Sequence, residues 1–112
     1  MNYQITASPV FKLSLQRLCF FLEKKHSKKL ADKTRQSIRS SIETKLTTSP
    51  LSVPISERLI ELGITRYRQL MVDKHNLIFF AVDEENRTVM LLAVMDSRQS
   101  IQKLLYEVNL LL

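Results

Sequence analysis

Four basic side chains at the ends of predicted strands are the residues of this sequence best suited to chemistry. Arg66 and Arg68 lie in one strand, His75 follows in a turn, and Arg98 comes after the last strand. Arginine can bind a phosphate through two parallel hydrogen bonds, and histidine can transfer a proton near neutral pH. In a sheet that is antiparallel in sequence order, the four could meet and bind a target. The alternative is that they are edge-strand charges that discourage aggregation.

Other kinds of site find little support in the sequence. His26 and His75 are far apart, and no histidine or cysteine lies at ligand spacing from either, so we expect no metal and no other cofactor. The single glycine, Gly63, excludes a glycine-rich phosphate loop. The carboxylates at 83–85 fall in a predicted hairpin turn, where a solvated loop is more usual than acid–base chemistry. Cys19 lies in an apolar helical pattern, which indicates a buried, unreactive thiol.

The order of predicted elements indicates an α+β domain. Apolar residues recur at helical spacing in the first half of the chain and at its end, and the runs between them are typical of strands. We therefore expect an N-terminal strand, a helical hairpin, a three-stranded antiparallel meander and a C-terminal helix. The predicted ranges are a strand at 3–6, helices at 9–25 and 30–46, a helical turn at 56–62, strands at 66–72, 76–82 and 87–94, and a last helix that begins after Asp96.

Capping signals indicate where several of these elements begin or end. Ser8 is suited to cap the first helix, with Pro9 at its first position. Gly63 can adopt a positive φ at no steric cost, so we expect a sharp corner there. Asp96 is predicted to cap the last helix, with Gln99 at the capping-box position three residues on.

The two longest predicted strands are apolar on both faces. A sheet with one face in water should alternate apolar and polar residues, so both faces of this sheet need cover. The helical hairpin can cover one face, and a short C-terminal helix remains for the other. In the first of these strands, alternation places Leu77, Phe79 and Ala81 on one face and residues 78, 80 and 82 on the other. In the second strand it places Val89, Leu91 and Ala93 on one face and residues 90, 92 and 94 on the other.

The C-terminal helix is expected to contribute to a partner interface. Its apolar stripe includes Leu104, Leu105, Val108 and Leu111. Apolar side chains at a fraying helix end are poorly covered by the chain alone, so a partner is expected to complete their burial and that of the sheet. The alternative is that the terminal helix packs alone and completes the surface.

The charge of the chain is concentrated in its first half. Residues 1–50 carry ten Lys and Arg against three Asp and Glu, whereas residues 51–112 carry seven against eight. A basic half attracts nucleic acid or an acidic protein, although a solvated helix face is the simpler explanation. The 112 residues suit one domain, and no apolar run is long enough for a membrane span. Without a recognisable signal peptide, the cytoplasm is the expected location.

The element order and four sequence motifs resemble those of a known family. The order β–α–α–β–β–β–α, with YRQLMV, NLIFFAV, TVMLLAV and DSRQ in its last part, resembles the RelE/ParE superfamily of bacterial toxins. These proteins are the toxin halves of type II toxin–antitoxin pairs. The resemblance covers the whole chain in layout and is most specific over residues 66–99. It implies a cognate antitoxin, commonly acidic, that docks apolar residues on the toxin, with the C-terminal helix as the expected contact.

The resemblance also implies two possible mechanisms. RelE-like members cleave mRNA on the ribosome with basic strand residues, an arginine after the last strand and a C-terminal tyrosine. Arg68 and Arg98 match two of those positions, and Tyr106 lies about two residues late. Leu70 and Asn76 stand where further cations are expected. ParE-like members lack this set and are associated with inhibition of DNA gyrase, so the resemblance favours the ParE-like branch.

Three functional hypotheses follow from these observations. The favoured one is a toxin that inhibits DNA gyrase without enzymatic activity of its own and is neutralised by a cognate antitoxin, with Arg66, Arg68, His75 and Arg98 contacting the target. The second is a ribosome-dependent mRNA endoribonuclease that uses Arg68, His75 and Arg98. The third is a basic nucleic-acid-binding module without toxicity.

Overall fold

The elements of the computed structural model follow the predicted order, which confirms the α+β class. The structure describes the backbone of residues 2–111 and the side chains of residues 2–106. Within that part, no helix is both long and apolar enough to cross a membrane. The elements are β1 (Gln4–Ala7), α1 (Pro9–Lys25), α2 (Lys28–Ser41), a π-helical turn (Ile42–Leu46), a 3-10 turn (Pro50–Ser52), α3 (Glu57–Ile60), β2 (Arg68–Met71), β3 (Asn76–Asp83), β4 (Thr88–Asp96) and α4 (Ile101–Leu111).

The strands form one sheet in the order β1-β4-β3-β2. β2, β3 and β4 make the predicted antiparallel meander, and β1 lies parallel to β4. The meander therefore brings the chain back beside its own first strand. Gly63 has a φ of +80° at the corner after α3, as its position predicted.

The helical hairpin begins as its capping residues predict. The Ser8 hydroxyl accepts a hydrogen bond from the Phe11 N–H, and Pro9 is the first helical residue. In α2 the buried stripe runs through Ala31, Thr34 and Ile38. Leu30, which the sequence placed on that stripe, is instead 36% exposed, because it lies in the first turn of α2, beyond the cover of α1.

A β-bulge changes which residues of β4 share a face. Phe79 pairs with Ala93 and Phe80 pairs with Leu91, so Leu92 is an extra residue in the strand. The prediction that Ala93 lies on the same face as Leu91 is therefore wrong. Past the bulge, Ala93 belongs to the core on one face and Val94 to the core on the other.

Both faces of the sheet are covered by the chain itself. The helical hairpin covers the face formed by Ile78, Phe80, Val89, Leu91 and Val94. The other face, where Phe79 and Ala93 are 0% exposed, is covered by residues of α3, α4 and the segment before β2. The expectation that a partner must complete the burial of the sheet is wrong for the described residues. It overlooked α3 and residues 64–67, which share that cover with α4.

Two serines of the first helix hold β4 where the bulge interrupts its pairing. The Ser8 hydroxyl donates to the Leu92 carbonyl at 2.9 Å, and the Val94 N–H donates to the Ser14 hydroxyl at 3.0 Å. β1 ends at Ala7, which pairs with Leu91, so it cannot reach these groups. The serines supply the partners that a longer β1 would have supplied, and they fix α1 against β4.

The last helix begins later than its predicted cap. Asp96 is the final residue of β4, and Ser100 occupies the capping position, where its hydroxyl accepts from the Lys103 N–H. Gln99 does accept a hydrogen bond from the Asp96 N–H, which is the reciprocal half of a capping box. The Asp96 carboxylate bonds the N–H of Arg98 instead, which closes a turn between strand and helix.

Candidate functional site

Arg98 lies in the turn between β4 and α4, where Asp96 holds its side chain. Its Nε and Nη2 donate to the two carboxylate oxygens of Asp96 at 2.9 and 2.7 Å. This pairing lowers the pKa of Asp96 and raises that of Arg98. The Arg98 side chain nevertheless remains 72% exposed, so the guanidinium is presented to solvent in a defined orientation.

His75 lies next to this turn, at the tip of the β2–β3 connection. The Ser97 N–H donates to the His75 carbonyl at 2.5 Å, which joins the two turns. Asp73 accepts hydrogen bonds from the N–H groups of His75 and Asn76 and from the Asn76 amide. Burial alone would raise the pKa of Asp73, but these bonds hold it below its usual value. His75 and the loop that carries Arg98 therefore share one end of the sheet.

Arg68 lies elsewhere and is engaged by the chain. Its Nη1 donates to the carbonyls of Val53 and Leu51 at 2.5 and 3.4 Å, and so ties the edge strand β2 to the preceding loop. Arg68 pairs with Phe80, whereas Asp96 pairs with Asn76. Their partners in β3 are four residues apart, which is about 13 Å along the strand.

Arg66 lies two residues before the first residue of β2. Its side chain is exposed, stacks on the Tyr67 ring at 5.1 Å and donates to the Tyr67 hydroxyl. The fold thus brings His75 and Arg98 to one end of the sheet and leaves Arg66 and Arg68 along its edge. The four predicted site residues form two groups, and they do not form a single cluster.

Two of the three positions where the resemblance implied further catalytic residues have structural roles. Asn76 is 7% exposed and bonds Asp73, and Leu70 packs against the first core. Tyr106 is 67% exposed on α4. Leu104 is 6% exposed within the second core, and Leu105 is half-buried beside it. The side chains of Val108 and Leu111 lie outside the described residues.

Arg58 is a functional candidate that the sequence did not reveal. From α3, its Nη2 donates to the Ser97 carbonyl at 2.6 Å and its Nη1 to the Gln99 carbonyl at 3.3 Å. These bonds flank Arg98 on both sides and hold its turn against α3. The contact spans 39 residues of sequence, so no local pattern could have indicated it.

Cavities flank the helical hairpin on two sides in the described part of the chain. The hairpin groove, of about 590 Å³, has an apolar floor that includes Ile5, Leu15 and Ile38, and a rim that includes Arg35 and Arg39. The end cleft, of about 510 Å³, lies between the second half of α1 and the β4–α4 turn. Its lining includes Arg17, Phe21, His26, Asp96, Arg98 and Leu104.

Metal chemistry and thiol chemistry find no site in the described part of the chain. Its His, Cys, Asp and Glu side chains nowhere form a group of three that could hold an ion. Cys19 is buried, 3% exposed, as its place in the helical pattern predicted. It lies near Arg35, whose pKa is raised by the Cys19 side chain.

Comparison with known proteins identifies the fold. No family model and no curated protein matches the sequence. The structure is similar to a chain in the crystal structure of the toxin–antitoxin complex RelBE2 from Mycobacterium tuberculosis, with a TM-score of 0.62 and 16% sequence identity. The match covers 86% of this chain and 99% of that one. The chain therefore has a RelE-like fold, as the element order and strand motifs indicated.

Proposed function

We propose that this chain is the toxin of a type II toxin–antitoxin module, that it inhibits DNA gyrase, and that a cognate antitoxin neutralises it by direct binding. The RelE-like fold and the likeness to a chain of a toxin–antitoxin complex support the toxin class. The remaining steps of the proposal rest on the arrangement of charged and apolar side chains.

The separation of Arg68 from Arg98 favours target recognition over RNA cleavage. Phosphoryl transfer builds negative charge at one point, and stabilising it requires several cations aimed at that point. Arg68 pairs with β3 about 13 Å along the strand from the residue that pairs with Asp96, and its guanidinium donates to the Val53 carbonyl. Buried Asn76 and apolar Leu70 add no charge at the positions between them. Arg66, His75 and Arg98 remain exposed and suited to contact a protein target.

Ribosome-dependent mRNA cleavage is the second candidate, and His75 is the observation that favours it. His75 carries an exposed imidazole beside the turn that presents Arg98. A phosphate bound to Arg98 would lie near a group able to transfer a proton. Asp96 would keep the guanidinium oriented while the substrate is bound.

Gyrase and ribosome assays on the purified full chain separate these candidates. The gyrase proposal predicts that the chain inhibits supercoiling or traps gyrase–DNA cleavage products, while mRNA in a translating extract remains intact. Exchange of Arg98 for glutamine should weaken the gyrase effect if Arg98 contacts the target, whereas Lys45→Gln, a matched loss of charge in the π-helical turn after α2, should not. Cleaved mRNA with unaffected gyrase would instead support the nuclease. Inactivity in both assays, combined with tight and steeply salt-dependent binding to nucleic acid, would support the non-toxic binding module.

The hairpin groove is the surface we assign to the antitoxin. An apolar floor beneath a basic rim fits an amphipathic segment that carries apolar residues on one side and carboxylates on the other. Leu105 of α4 is half-buried and can add to the contact. Leu104 is already packed in the chain's own core, so an antitoxin that touches it must displace α4.

Charge reversal on one helix tests the groove. Arg39→Glu places a carboxylate on the groove rim and should weaken antitoxin binding at least about tenfold, since like charges at an interface repel. Lys33→Glu makes the same change on an exposed residue of α2 that does not line the groove, and it should have a much smaller effect. Equal weakening by both variants would contradict docking in the groove. We expect the complex to form in the cytoplasm, with no membrane partner.

A further inference from the structure

The turn that joins α1 to α2 concentrates positive charge on the surface. We call residues 24–30 the hairpin tip; they include no Asp or Glu, and all of them are exposed. Its cations at neutral pH are Lys24, Lys25, Lys28 and Lys29. In the described part of the chain, none of these lysines forms an ion pair, and the carboxylates of Glu23 and Asp32 on either side do not reach them. The charge is therefore available to a ligand from outside.

Hydrogen bonds fix the backbone of the tip. The N–H groups of His26 and Ser27 donate to the Leu22 carbonyl at 2.9 and 3.1 Å, which ends α1. The Ser27 hydroxyl accepts from the Leu30 N–H at 3.0 Å, which begins α2. Because only these two residues separate the helices, the four lysines lie close together at one end of the hairpin.

Two of the lysines lie where they weaken the helix that carries them. Lys28 and Lys29 occupy the first turn of α2, which contains no acidic residue. The positive end of the helix dipole disfavours cations in that turn. Lys33 follows Lys29 by four residues, and like charges at this spacing repel each other. Local choices that oppose stability in this way are typical of a functional surface.

The composition of the tip favours a nucleic-acid duplex over other anionic partners. Lysine is depleted in the cores of protein interfaces, and its mobile ammonium group suits phosphates, which it binds as a point charge. Insertion into a membrane surface requires several apolar side chains, whereas Leu30 is the single apolar residue of the tip. Single strands bind to free aromatic rings. The tip contains no Phe, Tyr or Trp, and the Lys24 ammonium lies 4.8 Å above the neighbouring Phe20 ring.

We propose that the hairpin tip binds duplex DNA through its phosphates and without preference for base sequence. Phosphates are the same at every step of the duplex, so contacts to them carry no sequence information. His26 of the tip and Arg98 line the same end cleft, so DNA on the tip would lie beside the turn that we assign to the target. The inference does not depend on gyrase, because DNA alone is the ligand.

Fluorescence anisotropy of a short labelled DNA duplex tests the site with the full chain. Affinity should fall steeply as the salt concentration rises, with a logarithmic slope of about −0.9 for each phosphate contacted. Lys28→Gln combined with Lys29→Gln should reduce that slope by about 2 and weaken binding at least about tenfold. The matched control combines Lys45→Gln with Lys74→Gln, which removes the same charge from exposed residues outside the tip and should have a much smaller effect.

Several outcomes would overturn the proposal. Equal weakening by the two double variants would show that net charge, and not the tip, attracts the DNA. A flat salt response, or tighter binding of a single-stranded RNA than of the duplex, would also contradict it. Tip-dependent binding of anionic lipid vesicles or of an acidic peptide, without binding of DNA, would assign the tip to another partner. Circular dichroism verifies the fold of each variant, and loss of the first-turn lysines should leave Tm unchanged or slightly raised.

Discussion

Removal of the Ser14 hydroxyl tests how α1 is fixed to the sheet. Ser14 is 2% exposed, and its hydroxyl accepts from the N–H of Val94, which is 1% exposed. Ser14→Ala leaves that N–H buried without its acceptor, at a cost of about 1–3 kcal/mol. The better helix propensity of alanine returns about 0.5 kcal/mol. The net loss of unfolding free energy should be about 0.5–2.5 kcal/mol, which for a chain of this size lowers Tm by roughly 2–10 °C.

Urea unfolding followed by circular dichroism measures this loss, with Ser40→Ala as the matched control. Ser40 is an exposed serine of α2, whose backbone carbonyl accepts a hydrogen bond from the Thr44 hydroxyl. Its substitution should leave stability unchanged or raise it by about 0.5 kcal/mol through helix propensity alone. If Ser14→Ala proves as stable as Ser40→Ala, the hydrogen bond does not anchor β4 and our account of the bulge is refuted.

Three further predictions concern the turns and the corner. Arg58→Ala removes two charge-assisted hydrogen bonds to the turn that carries Arg98. Amide hydrogen exchange at Ser97 should therefore accelerate, and the unfolding free energy should fall by about 1.5–3 kcal/mol. Unchanged exchange would show that Arg58 does not hold this turn. The lowered pKa of Asp73 means that its carboxylate stabilises the fold above its unfolded-state pKa and loses this effect as the pH falls through the lower folded-state pKa. Asp73→Asn should therefore be less stable than the wild type at pH 7, and the difference between their urea midpoints should shrink as the solution is acidified. The Cβ that Gly63→Ala adds would have no atom within 4 Å, so the loss of unfolding free energy, about 1–2 kcal/mol, should come from the positive φ alone. A denaturation midpoint equal to that of the wild type would contradict this.

The β-bulge illustrates where sequence reasoning fails in the fold. Strict alternation placed Leu91 and Ala93 together, and nothing in a run of apolar residues marks Leu92 as the extra one. The bulge is stabilised by hydroxyls from another element, at Ser8 and Ser14. Its position therefore depends on packing between α1 and β4, and periodicity within β4 carries no signal of it.

In the candidate site too, some features follow from the sequence and others only from the folded chain. Asp96 and Arg98 are two residues apart, and the sequence alone placed Arg98 directly after the last strand. Whether Arg68 joins that turn depends on which groups its guanidinium reaches, and those are carbonyls 15 and 17 residues away. Arg58 reaches the turn from 39 residues away. A guanidinium has many possible acceptors, and only the folded chain selects among them.

The sequence by itself determined the order of the elements, the ends of α1, the corner at Gly63 and the resemblance to a toxin fold. These features depend on local rules, namely side-chain period, capping and allowed φ, which act over a few residues. Tertiary structure alone decided that α3 helps to cover the sheet, that Arg68 and Arg98 lie apart, and that Arg17, Phe21 and Arg98 line one cleft. These outcomes depend on contacts between distant segments, which compete for the same partners and are settled only when the whole core has packed.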